Sequence, residues 1–332
     1  MEDSGIGKDG KNMNPMERIA EIGILPVISI KRREQALALA DALALGGVPA
    51  MEITLRTDCA LSCIGDIARE RPGMVVGAGT VMHREQADAA MAAGASYLVM
   101  PGYSDSLVEY CVEKGYPVVP GCATGGEIMR AMEHGLRTVK FFPAEPSGGL
   151  AAIKLLSGPF PGVKFVPTGG MTMENIGAYL AQDCIAACGG SFMAKSEDVA
   201  QENWAKITEM CRRCVDISLG FSLAHVGINN ADASAAQENA QTLAAMFRLP
   251  MKVGNSSSFA ARDVEFMHNP YYGAKGHIGF YTNSVSRALA YFREQGIGVR
   301  EESIRKDAAG KLVSFYLERE IGGFAVHVVR RS

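Results

Sequence analysis

The sequence lacks both a long apolar run and an excess of charge of one sign. No stretch approaches the roughly 20 apolar residues that a membrane-spanning helix needs, and the N-terminal stretch MEDSGIGKDGKNMNPMER holds no apolar core of a signal peptide. A formal net charge of −3 over 332 residues gives no reason to expect nucleic acid or an anionic membrane surface as a partner. We therefore expect a cytoplasmic protein in which residues 1–14 form a disordered polar leader.

Cysteine is missing from the last third of the chain, and the eight cysteines before it give little sign of a metal or redox site. Cys211 and Cys214 have C-x-x-C spacing, but they stand in a charged helical pattern with no second pair nearby. Because disulfides are rare in reducing compartments, we expect the thiols to be free.

The first two thirds of the chain alternate between short apolar runs and helical patterns. The eight runs are ILPVISI (24–30), AMEIT (50–54), MVVGAGT (74–80), YLVMP (97–101), PVVPGCA (117–123), TVKFFPA (138–144), FVPTGG (165–170) and AACGGS (186–191). Eight strand-then-helix units predict a (β/α)₈ barrel over residues 15–215. The alternative is an open doubly wound sheet, which is less favoured because no G-x-G-x-x-G follows the first run.

The last third of the chain carries an internal repeat. His225-Val226-Gly227-Ile228 is echoed 52 residues later by His277-Ile278-Gly279-Phe280, and a helical pattern and several extended segments follow each copy. This predicts a smaller α+β domain over residues 219–332, built from two β-α-β-β-β units by duplication.

One lysine stands inside a predicted strand, although lysine is among the residues least often fully buried. Strand alternation puts Lys140 on the face opposite Val139 and Phe141, so it can point into the barrel. Desolvation favours a neutral amine, and a neutral amine attacks ketones to form a Schiff base whose iminium accepts electrons. The alternative is a structural ion pair across the barrel, for example with Glu52.

Other strand ends carry groups that fit the same chemistry. Glu52 and Arg56 lie around the end of the second predicted strand, where a carboxylate can move protons and an arginine can bind a substrate carboxylate. Thr80 ends the third strand, and the glycines of GAGT would let the backbone approach a ligand. Strands seven and eight end in PTGG and GGS, where this fold usually binds phosphate, so Gly169, Gly170, Gly190 and Ser191 are candidate phosphate contacts.

The motifs LPVI, EITLRT, VGAGTV, PG, KFFPAE, PTGG and GGS resemble, in order and spacing, those of the bacterial 2-keto-3-deoxy-6-phosphogluconate (KDPG) aldolases. These class I, Schiff-base enzymes also act as 4-hydroxy-2-oxoglutarate (KHG) aldolases. The resemblance covers residues 15–210 and implies a small phosphorylated keto acid as substrate, no cofactor and a homotrimer. It also implies roles for individual residues: Lys140 as the Schiff-base lysine, Glu52 as general acid and base, Arg56 and Thr80 at the pyruvate carboxylate, Pro101 and Phe142 in the pocket wall, Thr168 at the substrate hydroxyls, and Gly169, Gly170 and Ser191 around the distal phosphate.

The duplicated C-terminal pattern resembles the vicinal oxygen chelate, or glyoxalase-like, superfamily. There a metal is held by the first and last strands of each unit, which implies four candidate ligands of a divalent metal here: His225, Glu265, His277 and His327. The competing interpretation is a metal-free binding module with ordinary strand histidines.

Two alternatives for the barrel remain at this point. One is an aldolase for the galactonate epimer. The other is a phosphate-binding barrel isomerase with a metal-binding regulatory C-terminal domain, although isomerases use paired acid and base groups rather than a buried amine. Barrel architecture alone does not separate these activities.

Overall fold

The computed structural model describes residues 14–331, which fall into two compact units that divide between Ser218 and Leu219. The polar leader expected over residues 1–14 lies outside the described residues except for Asn14, whose side chain accepts a hydrogen bond from the amide of Met16 at the start of the first helix. That residues 15–215 and 219–332 fold as independent domains stays a prediction.

The first unit contains eight short strands, each followed by at least one helix. The strands are β1 (Ile24–Ile28), β2 (Ala50–Thr54), β3 (Val75–Gly79), β4 (Leu98–Val99), β5 (Val118–Val119), β6 (Thr138–Phe141), β7 (Lys164–Pro167) and β8 (Cys188–Gly190). The helices are α1 (Pro15–Ile22), α2 (Ala36–Leu45, after a 3₁₀ turn over Arg33–Gln35), α3 (Ala60–Glu70), α4 (Arg84–Ala92), α5 (Asp105–Glu113), α6 (Gly125–Glu133), α7 (Gly149–Ser157), α8 (Ile176–Leu180), α9 (Ser196–Ala200) and α10 (Trp204–Leu219).

All strand pairings in this unit are parallel, and they run in a closed circle. Six strands form a sheet in the order β5-β4-β3-β2-β1-β8, and β6 pairs with β7. Isolated parallel bridges join the two parts, from Gly121 to Lys140 between β5 and β6 and from Thr168 to Gly189 between β7 and β8. The predicted (β/α)₈ barrel is confirmed. Since parallel strands end together, the predicted strand-end residues share one rim of the barrel.

The second unit repeats one topology twice. Its elements are β9 (Ser222–Asn229), α11 (Ala233–Phe247), β10 (Met251–Val253), β11 (Ser257–Ala260), β12 (Val264–Met267), β13 (Gly276–Thr282), α12 (Val285–Glu294), β14 (Val299–Lys306), β15 (Leu312–Leu317) and β16 (Phe324–Arg330). Eight strands make one sheet in the order β10-β11-β12-β9-β13-β16-β15-β14. The central strands β9 and β13 are antiparallel, while each pairs in parallel with the last strand of its own unit, β12 or β16. Two β-α-β-β-β units are thus present, as the repeat predicts.

Six of the eight cysteines are buried, and Cys59 and Cys184 are partly buried. All eight thiols are free, and Cys211 and Cys214 are both fully buried on α10. Burial raises the pKa of each of these two thiols to about 12, so they stay protonated and pack as small apolar side chains.

Among the helices of residues 14–331, none combines the length and apolar character of a membrane-spanning helix.

Candidate active site

Lys140 and Glu52 form a buried pair inside the barrel. Lys140 lies on β6 with 6% of its surface exposed, and Glu52 lies on β2 with 1% exposed. The lysine Nζ donates to the two carboxylate oxygens of Glu52 at 3.1 and 3.4 Å. A buried charge is costly unless it is paired, so each side chain accounts for the burial of the other.

The backbone around Lys140 is held on the side of β5. Its amide donates to the carbonyl of Pro120 at 2.9 Å, and its carbonyl accepts from the amide of Cys122 at 2.8 Å. The side chains of Val139 and Phe141, each 1% exposed, pack away from the lysine into the layer between strands and helices. These contacts orient the amine toward the interior of the barrel.

The pocket-wall and carboxylate-binding candidates lie around the lysine at the same rim. The ring of Phe142, 41% exposed, has its centroid 5.6 Å from the lysine Nζ. Arg56 lies two residues beyond β2 with its side chain exposed, and Pro101 lies two residues beyond β4. Their roles toward a substrate stay predictions.

The phosphate-binding candidates come together where β7 and β8 end. The bridge from Thr168 to Gly189 sets the two glycine-rich segments side by side. Gly169 and Gly170 have φ values of 94° and 82°, a left-handed conformation that favours glycine. Gly190 closes β8, and Ser191 follows it with its side chain exposed. The arrangement exposes backbone and hydroxyl groups at the rim, as a phosphate cradle requires.

Sequence reasoning missed Glu145, which supports this end of the site. Its amide donates to the carbonyl of Gly169 at 3.1 Å, and its carboxylate accepts a hydrogen bond from the hydroxyl of Tyr179. Burial, together with this bond, raises the pKa of Tyr179. A methyl group on Gly170 would lie 2.6 Å from Cβ of Glu145, so the glycine and the glutamate pack directly. The acidic residue at the end of KFFPAE was the available signal.

Thr80 has an unusual backbone conformation at the end of β3. Its φ is 61°, in the left-handed region, where a β-branched residue is strained. The amide of Ala78 donates to the carbonyl of Tyr97 next to β4. In a regular parallel ladder the amide of Thr80 would donate next, but here the amide of Val81 donates to the carbonyl of Val99, at 3.1 Å. One extra residue is therefore inserted here, as in a β-bulge, which re-aims the threonine at the rim.

We expect Thr80→Gly to make the protein more stable and less active. Glycine relieves strain of about 1–3 kcal/mol but adds unfolded-state entropy worth about 0.5–1 kcal/mol, so the net gain should be about 1 kcal/mol. Loss of the hydroxyl should lower kcat/KM by about tenfold, the loss of one hydrogen bond to a charged group. Denaturant unfolding and steady-state kinetics measure the two effects. Thr80→Ser, which keeps the hydroxyl, is the control, and a Thr80→Gly protein less stable than wild type would contradict the expectation.

A second cluster of polar side chains lies on the sheet of the C-terminal unit. His225 on β9 has its Nε2 3.0 Å from Nε2 of His277 on β13 and 3.1 Å from Nε2 of His327 on β16. Glu265 on β12 completes the set, with its Oε2 3.2 Å from Nε2 of His277 and 3.4 Å from Nε2 of His225. The three candidate histidines therefore lie together, and Glu265 contacts two of them.

The protonation of this cluster suits metal binding. Burial lowers the pKa of His225, and burial lowers the pKa of His327 to about 3, so both rings are neutral near pH 7. Burial acts to raise the pKa of Glu265, but hydrogen bonds from His277 and Ser257 outweigh it and hold that pKa below its usual value. Neutral imidazoles and a carboxylate are the forms that bind divalent transition metals.

Two glycines of the repeated motif make room for the histidine rings. A methyl group on Gly279 would lie 2.6 Å from Nε2 of His327 and 2.8 Å from Cε1 of His225. One on Gly227 would overlap the ring of His277. In each of the repeated motifs, HVGI and HIGF, the histidine is thus a candidate ligand. The glycine leaves space for the ring of a candidate ligand on a neighbouring strand.

Comparison with known proteins concerns the barrel. The family model described as KDPG and KHG aldolase matches residues 16–210. A 2-dehydro-3-deoxy-phosphogluconate aldolase of Pseudomonas aeruginosa is 44% identical over 196 residues, which is 59% of this chain and 89% of that protein. A KHG/KDPG aldolase of Escherichia coli is 39% identical over 58% of this chain and 91% of its own. The crystal structure of a KDPG aldolase from Legionella pneumophila, with pyruvate captured as a covalent carbinolamine, is 38% identical with a TM-score of 0.59 and covers 60% of this chain and 97% of its own.

Proposed function

The chain belongs to the KDPG and KHG aldolase family, and we propose that Lys140 forms the Schiff base through which its barrel cleaves KDPG to pyruvate and glyceraldehyde 3-phosphate. The protein is a carbon–carbon lyase. The observation that carries the role of Lys140 is its buried contact with Glu52 at 3.1 Å. A buried amine beside a proton-exchanging carboxylate is what carbinolamine chemistry needs.

The first half of the reaction builds the iminium. Lys140 passes a proton to Glu52, and the neutral amine attacks the C2 ketone of the substrate to give a carbinolamine. Glu52, now protonated, donates a proton to the carbinolamine hydroxyl, which leaves as water. The product is a protonated Schiff base, and Glu52 is again a carboxylate.

The second half breaks the C3–C4 bond. The Glu52 carboxylate takes the proton of the C4 hydroxyl, directly or through one water, and the C3–C4 electrons move into the iminium to form an enamine. The aldehyde leaves, the protonated Glu52 returns its proton to C3 of the enamine, and water hydrolyses the resulting iminium to pyruvate and free Lys140. The iminium is the electron sink, so this chemistry calls for no metal.

The same site accounts for the range of substrates that we propose. Arg56 and Thr80 would hold the carboxylate next to the ketone, and Phe142 and Pro101 would line the pocket. Thr168 would contact the hydroxyls. The glycines at 169, 170 and 190 and the hydroxyl of Ser191 would bind the distal phosphate, which favours KDPG. We extend the proposal to KHG, which splits to pyruvate and glyoxylate, because a 39% identical relative carries both substrates in its name.

Three further points about the barrel stay predictions: its selectivity against the galactonate epimer, its assembly as a homotrimer and its location in the cytoplasm. The isomerase alternative is less favoured than the aldolase, because the family match and the buried amine both point to the latter.

Reductive trapping with pyruvate tests the proposal. Borohydride reduces an iminium to a stable secondary amine, so the full chain incubated with pyruvate and borohydride should gain the mass of one reduced pyruvate on the peptide that contains Lys140. Borohydride alone should add nothing. A folded, pyruvate-treated protein with no adduct, or an adduct on another lysine, would refute the assignment.

We further propose that residues 219–332 form a domain that binds a divalent transition metal through His225, Glu265, His277 and His327. The observation that favours it is the cluster of three histidine nitrogens within 4.8 Å of one another, with the Glu265 carboxylate 3.2 Å from His277 and 3.4 Å from His225. Ligands about 2.0–2.2 Å from a shared ion have nearest-neighbour separations of about this size. When bound, such an ion would act as a Lewis acid. The four side chains would hold it, and the exposed fraction of His225 and Glu265, 16% and 13%, marks the side from which a ligand can approach.

A further inference from the structure

The carboxylate of Glu52 occupies space that a side chain on β3 would otherwise fill. A methyl group on Gly79 would overlap the Glu52 carboxylate and lie 2.6 Å from its Cγ and 2.7 Å from its Cδ. Contacts below 3.0 Å force a neighbour to move, and both residues lie in β-ladders that hold their backbones. Glu52 therefore has its observed position only because residue 79 has no side chain.

Two inward-facing positions of β3 carry no side chain. Alternation puts Gly77 and Gly79 on the same face of the strand, and a methyl group on Gly77 would overlap the ring of Tyr97. Tyr97 is fully buried, and its hydroxyl donates to the carbonyl of Met51 at 2.8 Å. One glycine thus makes room for a core side chain and the other for the carboxylate.

We propose that Gly79 is a positioning residue of the aldolase: it leaves open the space through which Glu52 reaches Lys140. The inference rests on the proposed roles of Glu52 and Lys140. Any side chain at position 79 would push the Glu52 carboxylate away from Nζ of Lys140, which donates a hydrogen bond to it at 3.1 Å. Apart from Thr80, which follows Gly79 directly, the proposed substrate-binding groups lie at other strand ends, so binding is left largely intact while proton transfer fails.

Gly79→Ala should therefore lower kcat by about 100-fold, the cost of displacing a catalytic group by about 1 Å, while KM changes by less than about threefold. Pyruvate trapping by borohydride should slow in parallel, because dehydration of the carbinolamine needs the same carboxylate. Gly73→Ala is the matched control. It precedes β3, has no atom within 4 Å of the added methyl group and should leave kcat and trapping unchanged.

A double-mutant cycle with Glu52→Ala separates positioning from a general packing defect. Without the glutamate side chain the added methyl group meets nothing of Glu52. Gly79→Ala should then cost no further activity in the Glu52→Ala background, and its effect on Tm should largely disappear there. A packing defect would lower Tm by the same amount in both backgrounds.

Two results would overturn the inference and are distinguishable from failure of the proposed function. If Glu52→Ala is inactive but Gly79→Ala has wild-type kcat, position 79 does not control the carboxylate. Equal losses of activity and Tm in both backgrounds would also refute it. If instead Glu52→Ala keeps wild-type kcat, the proposed role of Glu52 itself is wrong.

Discussion

Lys140→Ala should remove aldolase activity, lowering kcat/KM by about 10⁴-fold or more, since no other group can supply the covalent electron sink. Pyruvate release from KDPG, followed by a coupled dehydrogenase assay, measures the loss. The variant should also fail to gain mass with pyruvate and borohydride. We expect no other substitution in the barrel to have as large an effect. Loss of a substrate-binding group raises the activation barrier less than loss of the nucleophile does.

The same substitution leaves Glu52 buried without its partner, which typically costs about 3–5 kcal/mol. The fold must therefore be checked separately. Lys140→Arg keeps a cation next to the carboxylate but has no amine that condenses with ketones, so it should be folded and inactive. Lys164→Ala is the matched control, because Lys164 stands at the exposed start of the neighbouring strand β7 and should be dispensable. Residual Schiff-base activity in a folded Lys140→Arg protein would contradict the mechanism.

The double variant His225→Ala/His277→Ala should lose metal from the C-terminal unit. We expect the full-length wild-type chain, dialysed against Zn²⁺ or Mn²⁺, to retain about one ion per chain by elemental analysis. Loss of groups that merely orient ligands lowers metal affinity by about 10–100-fold, so loss of two proposed ligands should lower it by more than about 100-fold. Bound metal should also raise the Tm of the wild type by linkage, and this rise should disappear in the variant.

His268 provides a matched control for this experiment. It is also a buried histidine of the same unit, but its ring contacts the Ser258 hydroxyl and the Asn255 carbonyl instead of the cluster. His268→Ala should keep the bound metal. Gly279→Ala is a second, independent check of metal binding. It leaves every proposed ligand in place, but its methyl group would crowd the rings of two of the histidines. A folded wild-type chain that holds no divalent metal, or metal retained by the double variant, would refute the site.

Much of the barrel could be predicted because its signals are local. The apolar run AMEIT coincides with β2, and TVKFFPA contains β6 in full. The place of Lys140 followed from alternation within β6 alone, since its neighbours are apolar and a turn follows. The repeated β-α-β-β-β order was equally accessible, because duplication leaves two copies of one pattern in the chain.

The packing of side chains inside the barrel could not be predicted from the sequence. GAGT gave no sign that Gly77 and Gly79 leave room for the side chains of Tyr97 and Glu52. The left-handed conformation of Thr80 is also hidden in the sequence, because threonine normally avoids it and local preference points the other way.

What the sequence by itself determined is the order of the strands and helices, the duplication of the C-terminal unit, and the residue types available at each strand end. Periodicity and turn residues act over a few positions, so one chain is enough to specify them. Only the tertiary structure decided that Glu52 reaches Lys140 past the glycines of β3, and that Glu265 meets two histidines from two other strands. Strand register and the packing of side chains across strands depend on residues far apart in sequence, and a one-residue shift would turn each of these groups to the opposite face.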